Sequence, residues 1–138
     1  MSELIVSAAA WVPQKPVLSS SGGGEKGYFF KWTVYAEVSV TAANGEPVTK
    51  LAKSAWQVHI TFSDGGAVLP TFTVSTVAPG FSIVKCNPKE YLAGVGGPIL
   101  RPTALGVSIT RPNRTAPENE DRGQVVVPLT LAYGAVEL

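Results

Sequence analysis

The stretch WTVYAEVSVT, residues 32–41, alternates between two kinds of side chain along its whole length. Trp32, Val34, Ala36, Val38 and Val40 fall on one side, and Thr33, Tyr35, Glu37, Ser39 and Thr41 on the other. Successive side chains of an extended strand point to opposite faces, so a period of two gathers all five apolar groups on one surface. A helix would scatter them around its axis. The Val and Thr residues suit the same conformation. The segment therefore predicts a half-buried strand, and Asn44-Gly45 after it predicts a turn, because both residues tolerate positive φ. WQVHITF, residues 56–62, repeats the pattern with Trp56, Val58, Ile60 and Phe62 on one face and Gln57, His59 and Thr61 on the other. Ser63-Asp64-Gly65-Gly66 closes it.

The same period continues in both directions. Leu4 to Trp11 supplies a strand near the start, and Pro70 to Val77 places Phe72 and Val74 on one face. Pro79-Gly80 turns the chain into Phe81 to Cys86, where two registers compete: Phe81 and Ile83 against Val84 and Cys86 for the core face. Leu105, Val107 and Ile109 alternate, as do Val125, Val127, Leu129 and Leu131. Pro128 lacks a backbone donor, which predicts an edge position or an unpaired amide side there. Pro88 suits a first helical position, so one helical turn is expected over Pro88 to Leu92. Seven to eight short strands between turn signals predict an all-β, antiparallel β-sandwich formed as a single domain over residues 1–138. Two loops stand apart: residues 19–24 (SSSGGG) and residues 111–123 (RPNRTAPENEDRG). Each is a candidate for flexibility or for ordering on contact with a partner.

Val38-Ser39-Val40 leads into the turn Gly45-Glu46-Pro47-Val48 and then Leu51; Trp56 to Phe62 follows, and later Pro79-Gly80-Phe81. Over about residues 38–86 this succession resembles the central part of bacterial Ig-like and carboxypeptidase-regulatory-like, or transthyretin-like, sandwich domains. The resemblance implies an Ig-like fold in which the turns reset the strand and the aromatic plugs the corner between sheets. Lys85 stands where that pattern has an apolar residue, and no cysteine pair exists. The resemblance implies little about function, since such sandwiches host many roles.

Composition narrows the chemistry. Eleven basic residues against ten acidic ones leave a net charge of +1, so no global field draws the chain to nucleic acid or to an anionic membrane. No stretch approaches the ~20 apolar residues of a membrane span. Glu3 precedes the first apolar stretch and no basic residue does, which is not the order of a signal peptide, so a cytoplasmic location or assembly into a particle is expected. His59 is the single histidine and Cys86 the single cysteine, so an intrachain disulfide and a Cys/His metal site both lack partners. The two read as a surface histidine and an inert thiol rather than a base and nucleophile. Glu118-Asn119-Glu120-Asp121 lacks the alternating spacing of a Ca²⁺ loop and reads as solvated. Gly22-Gly23-Gly24 and the glycines at 94–97 lack the Lys-Ser/Thr of a phosphate loop. Neither a cofactor, a metal nor a catalytic residue is assigned.

The aromatic residues remain. Trp32, Trp56, Phe62, Phe72 and Phe81 are assigned to core faces, Tyr35 points outward by alternation, and Trp11, Tyr28, Tyr91 and Tyr133 are unplaced. Trp11, Tyr28, Tyr35 and Tyr91 are the candidate residues for binding a ligand or partner, because aromatic rims stack on sugars and anchor protein contacts. The reading that follows is a non-enzymatic structural or interaction module that forms a homo-oligomer or docks onto a larger protein complex, as in a virion, phage or secretion apparatus. The alternative is a carbohydrate- or small-ligand-binding sandwich, which expects at least two of the four aromatics to be coplanar and exposed.

Overall fold

The alternation centred on Ala36 becomes strand β4 (Val34–Ala42), with Val34, Ala36, Val38 and Val40 buried and Glu37 exposed. The computed structural model describes residues 3–19, 28–92, 101–113, 115–116 and 118–132. Before β4 come β1 (Leu4–Val12), β2 (Val17–Ser19) and β3 (Tyr28–Lys31). After it come β5 (Trp56–Phe62), β6 (Ala67–Val68), β7 (Phe72–Ala78), β8 (Phe81–Cys86), β9 (Lys89–Leu92), β10 (Pro102–Pro112) and β11 (Glu120–Leu131). A 3-10 turn, Lys53–Ala55, leads into β5.

The chain is all-β. Eight strands form one curled sheet, a half-barrel, in the order β6-β5-β10-β11-β1-β4-β8-β7. The sheet is mixed rather than antiparallel throughout, because β1 pairs in parallel with β11. Apolar residues on its concave side make one core: Leu4, Val6 and Val12 of β1 meet Val38 of β4, Phe62 of β5, Val84 of β8 and Leu105 of β10. Fully burying one such side chain stabilises the fold by about 1.5–3 kcal/mol.

Strand β8 resolves its two competing registers through its neighbour. Ala36 faces Val84 and Val34 faces Cys86, and directly opposite residues share a face, so the phase of β4 is imposed on β8. Ser82, Val84 and Cys86 are buried, while Phe81 and Ile83 are half-buried on the convex side. Phe81 is thus not a core residue. Phe72 and Val74 pack against the edge of the core.

Strands β2, β3 and β9 form a second sheet in that order and raise the strand number above the seven to eight expected. β3 and β9 prolong β4 and β8, since Lys31 faces Lys89 in the register that sets Val34 opposite Cys86. At the break between them the Trp32 N–H donates to the Pro88 carbonyl at 3.0 Å, and Asn87 Nδ2 donates to the Trp32 carbonyl at 3.4 Å. Residues 89–92 are therefore strand rather than the expected helical turn, because the ladder already formed by β4 and β8 continues through them. β2 is offset: on the β1–β4 register Val17 would face Phe29, and it faces Lys31 instead, a shift taken up in residues 13–16.

Pro128 does not lie on an edge strand, since β11 is flanked by β10 and β1. β1 and β11 pair at Glu3 with Arg122 and again from Ala10 with Leu129 to Val12 with Leu131, and form no ladder between. Pro128 is the last residue of that unladdered stretch, so its missing donor interrupts nothing toward β1. Of the segment 111–123, Arg111 and Pro112 end β10 and Glu120 to Gly123 begin β11. Of the segment 19–24, Ser19 ends β2 and the remainder lies outside the described residues.

The two turns quoted from the sequence meet. Gly80 holds φ +74°, and a Cβ there would stand 2.7 Å from Pro47 Cβ and 2.9 Å from the Val40 carbonyl. The same place is tied by Val40 N–H to the Gly80 carbonyl (2.8 Å) and Val48 N–H to the Val40 carbonyl (3.0 Å). Gly45, at φ +89°, has nothing near its would-be Cβ. Gly45→Ala should cost about 1–2 kcal/mol for the left-handed backbone, and Gly80→Ala distinctly more, because Pro47 must also move. Urea unfolding of the two variants measures the difference; equal losses would remove the Pro47 contact from the account.

Candidate functional site

One rung of the convex face crosses five strands. Thr130 of β11 faces Trp11 of β1, which faces Tyr35 of β4, then Lys85 of β8, then Thr73 of β7. The Trp11 and Tyr35 rings stack with centroids 5.9 Å apart and planes 19° apart, and both residues are half-buried. Lys85 Nζ lies 5.8 Å from the Tyr35 ring centroid. An ammonium over an aromatic face at that range contributes about 0.5–1 kcal/mol where exposed. The departure of Lys85 from the apolar pattern now has a cause: its position points outward.

Of the four candidate aromatics, the fold brings Trp11 and Tyr35 together. Tyr28 and Tyr91 belong to the second sheet, in β3 and β9, where Tyr28 faces Leu92 and Phe29 faces Tyr91. The side chains of Tyr28 and Tyr91 lie outside the described residues.

Cys86 and His59 are kept apart. Cys86 is fully buried on the concave side of β8, and its thiol donates to the Val34 carbonyl at 3.6 Å. Burial pushes the thiol up from 9.0 to about 12. His59 faces Gly106 across β5 and β10, on the convex side, and a Cβ at Gly106 would collide with the imidazole. The histidine therefore covers a glycine, much as an aromatic shields a bare stretch of sheet.

The acidic run divides. Asp121 turns inward, 3% exposed, and accepts from Arg111 Nε at 3.3 Å and from Asn113 Nδ2 at 2.7 Å. Glu120 remains outside and accepts from Arg122 Nη2 at 2.6 Å. Asn113 Oδ1 in turn accepts from the Thr115 and Ala116 N–H groups, each at 3.0 Å. Asp121 thus fastens the hairpin that joins β10 to β11, a role the solvated reading of that run missed. Among the described residues no three His, Cys, Asp or Glu gather to hold a metal. A groove of about 470 Å³ runs between residues 49–55 and 110–113; it is lined by Leu51, Ala55 and Pro112, with Lys50 and Arg111 as its charged groups.

The free edges differ in character. β6 ends the half-barrel on one side with two residues. β7 ends it on the other with Phe72-Thr-Val-Ser-Thr-Val-Ala78, in which Thr73, Ser75, Thr76, Val77 and Ala78 are exposed. No residue of β7 is charged. Lys53 Nζ lies 5.1 Å over the Phe72 ring at its beginning, and the pairing with β8 shifts register between Thr76 and Ala78 at its end.

No protein-family model, curated protein or solved structure matches the chain. Among the described residues no helix is long and apolar enough to cross a membrane.

The Cys86 environment has a pH signature. A thiol whose pKa is raised on folding is held protonated in the native state, so its contribution is complete below about pH 9 and is lost as pH climbs from 9 toward about 12. Between about pH 8 and about pH 11 the native protein should lose more stability than Cys86→Ala, measured as the shift in urea midpoint. Parallel losses in the two proteins would show that the thiol does not titrate with unfolding.

Proposed function

We propose that the chain is a non-catalytic structural or interaction module on an Ig-like sandwich, assembling with copies of itself or docking onto a larger protein complex. One observation carries this reading: β7 is a long sheet edge with exposed side chains and no charge. The backbone groups on such an edge form a template for another strand, and proteins that remain single usually blunt it with Lys, Pro or very short strands. β6, with two residues, is short in that protective sense.

The sandwich reading draws on strand order. Divided at the β1–β11 seam, the half-barrel yields β1-β4-β8-β7 and β6-β5-β10-β11. Named in sequence, these match A-B-E-D and C′-C-F-G, the order of Ig-type domains. The contact of Pro47 with Gly80 supports it too, since it joins the two turns that carry the resemblance. Light-scattering mass across a concentration series tests the assembly reading: a stable oligomer is expected, and a strict monomer at every concentration overturns self-assembly.

A second reading is favoured by the Trp11–Tyr35 pair, two nearly parallel, half-buried rings on the convex sheet face. Such a pair suits contact with a sugar ring or another planar-faced ligand. Trp32 and Trp56 are buried, so a ligand-induced change in tryptophan fluorescence reports mainly on Trp11. Titration with a panel of soluble glycans should give a saturable change that disappears in Trp11→Ala. A flat response across the panel removes this reading.

A further inference from the structure

We infer that a second copy of this chain pairs antiparallel with β7 about a two-fold axis at Val74, joining two half-barrels into one continuous sheet. The inference rests on the assembly reading and supplies its surface, partner and register.

β7 is the terminal strand of the large sheet, and among the described residues no strand pairs on its outer side. From Phe72 to Thr76 it keeps unbroken register with β8, so its outer side is regular before the shift at Thr76 and Ala78. A second copy is favoured over an unrelated strand by self-complementarity. With Val74 opposite the second copy's Val74, Thr73 falls opposite the second copy's Ser75, and Phe72 opposite its Thr76. Directly opposed residues share a face. Thr73 and Ser75 stand in phase with Lys85 and Ile83 on the convex side, while Phe72 and Val74 stand in phase with Cys86 and Val84 on the concave side. The pairing therefore sets hydroxyl against hydroxyl outside, and Val against Val inside. Centring on Ser75 instead would set Thr73 against Val77 and Val74 against Thr76, so both like pairs nearest the axis are lost, whereas the Val74 register mixes types only further out, at Phe72 and Thr76.

Charge is compatible with the same register. No charged residue lies on β7, and the rung that carries Lys85 in one copy continues through Thr73 to the second copy's Ser75, Ile83 and Glu37. Lysine does not meet lysine. At the other edge β6 offers two residues, too few for a comparable ladder.

The register is read by cysteine pairs at exposed positions. Thr73→Cys mixed with Ser75→Cys should give a disulfide-linked dimer under mild oxidation, because opposed Cα atoms in an antiparallel pair lie at disulfide distance. Each variant alone should give none, since position 73 faces 75 and not itself. Cys86 is fully buried and leaves the background low. Ser75→Lys should keep the far-ultraviolet circular dichroism of the native protein and raise the dissociation constant roughly tenfold or more, by charging the edge on both copies. If the native protein is an oligomer but the mixture does not cross-link, or Ser75→Lys leaves the mass unchanged, the β7 pairing is wrong while assembly stands. If either single variant cross-links with itself, the register is wrong. A monomeric native protein removes both the pairing and the assembly reading.

Discussion

Strand β1 holds β4 from Leu4 to Trp11 and touches the β11 ladder only near its two ends, at Glu3 and from Ala10 to Val12. Both halves of the half-barrel depend on this one strand. Its concave side chains complete the core between them, and its convex Trp11 begins the aromatic contact with Tyr35. The close approach at Gly123, where a Cβ would collide with the Leu4 carbonyl, anchors one end of the seam, and the Ala132 N–H donating to the Val12 carbonyl at 2.8 Å anchors the other. A strand that meets a second neighbour only at its ends allows the sheet to curl there without losing its core face.

Much of the large sheet is legible in the sequence because one period governs it. β5 begins and ends at the residues the alternation predicts, and β4 differs in starting after Trp32-Thr33 and in running one residue further, to Ala42. What remains hidden depends on partners rather than on local pattern. Phe81-Ser-Ile-Val-Lys-Cys86 has apolar residues in both phases, and only the pairing of Val84 with Ala36 decides which phase is buried. Residues 89–92 carry a local preference for a helical start, which loses to a ladder arriving from β8. The parallel seam joins distant parts of the chain and leaves no mark in either strand's own alternation.

The candidate site was legible to a similar degree. The outward position of Tyr35 follows from its strand, but Trp11 stands after three alanines, whose small side chains weaken any phase, and only its opposition to Tyr35 places it. Lys85 looks anomalous until the face of β8 is known. Asp121 could not be recognised as the fastening of the β10–β11 hairpin, because an acidic run carries no sign of which carboxylate turns inward. The separation of Cys86 from His59 follows from alternation alone once β8 is in register, since one side chain is concave and the other convex.

The seam also bears on how the native state is reached. The β10–β11 hairpin and the β7–β8 hairpin close through local contacts, whereas Ala10 finds Leu129 only after nearly the whole described chain has been made. Pairings of such wide sequence separation raise contact order and slow folding, because loop-closure entropy is lost before the contacts form. During synthesis β1 can therefore rest on β4 with its other side unclosed until β11, the last strand among the described residues, emerges to seal it. Joining the two halves of the sheet thus waits on β11.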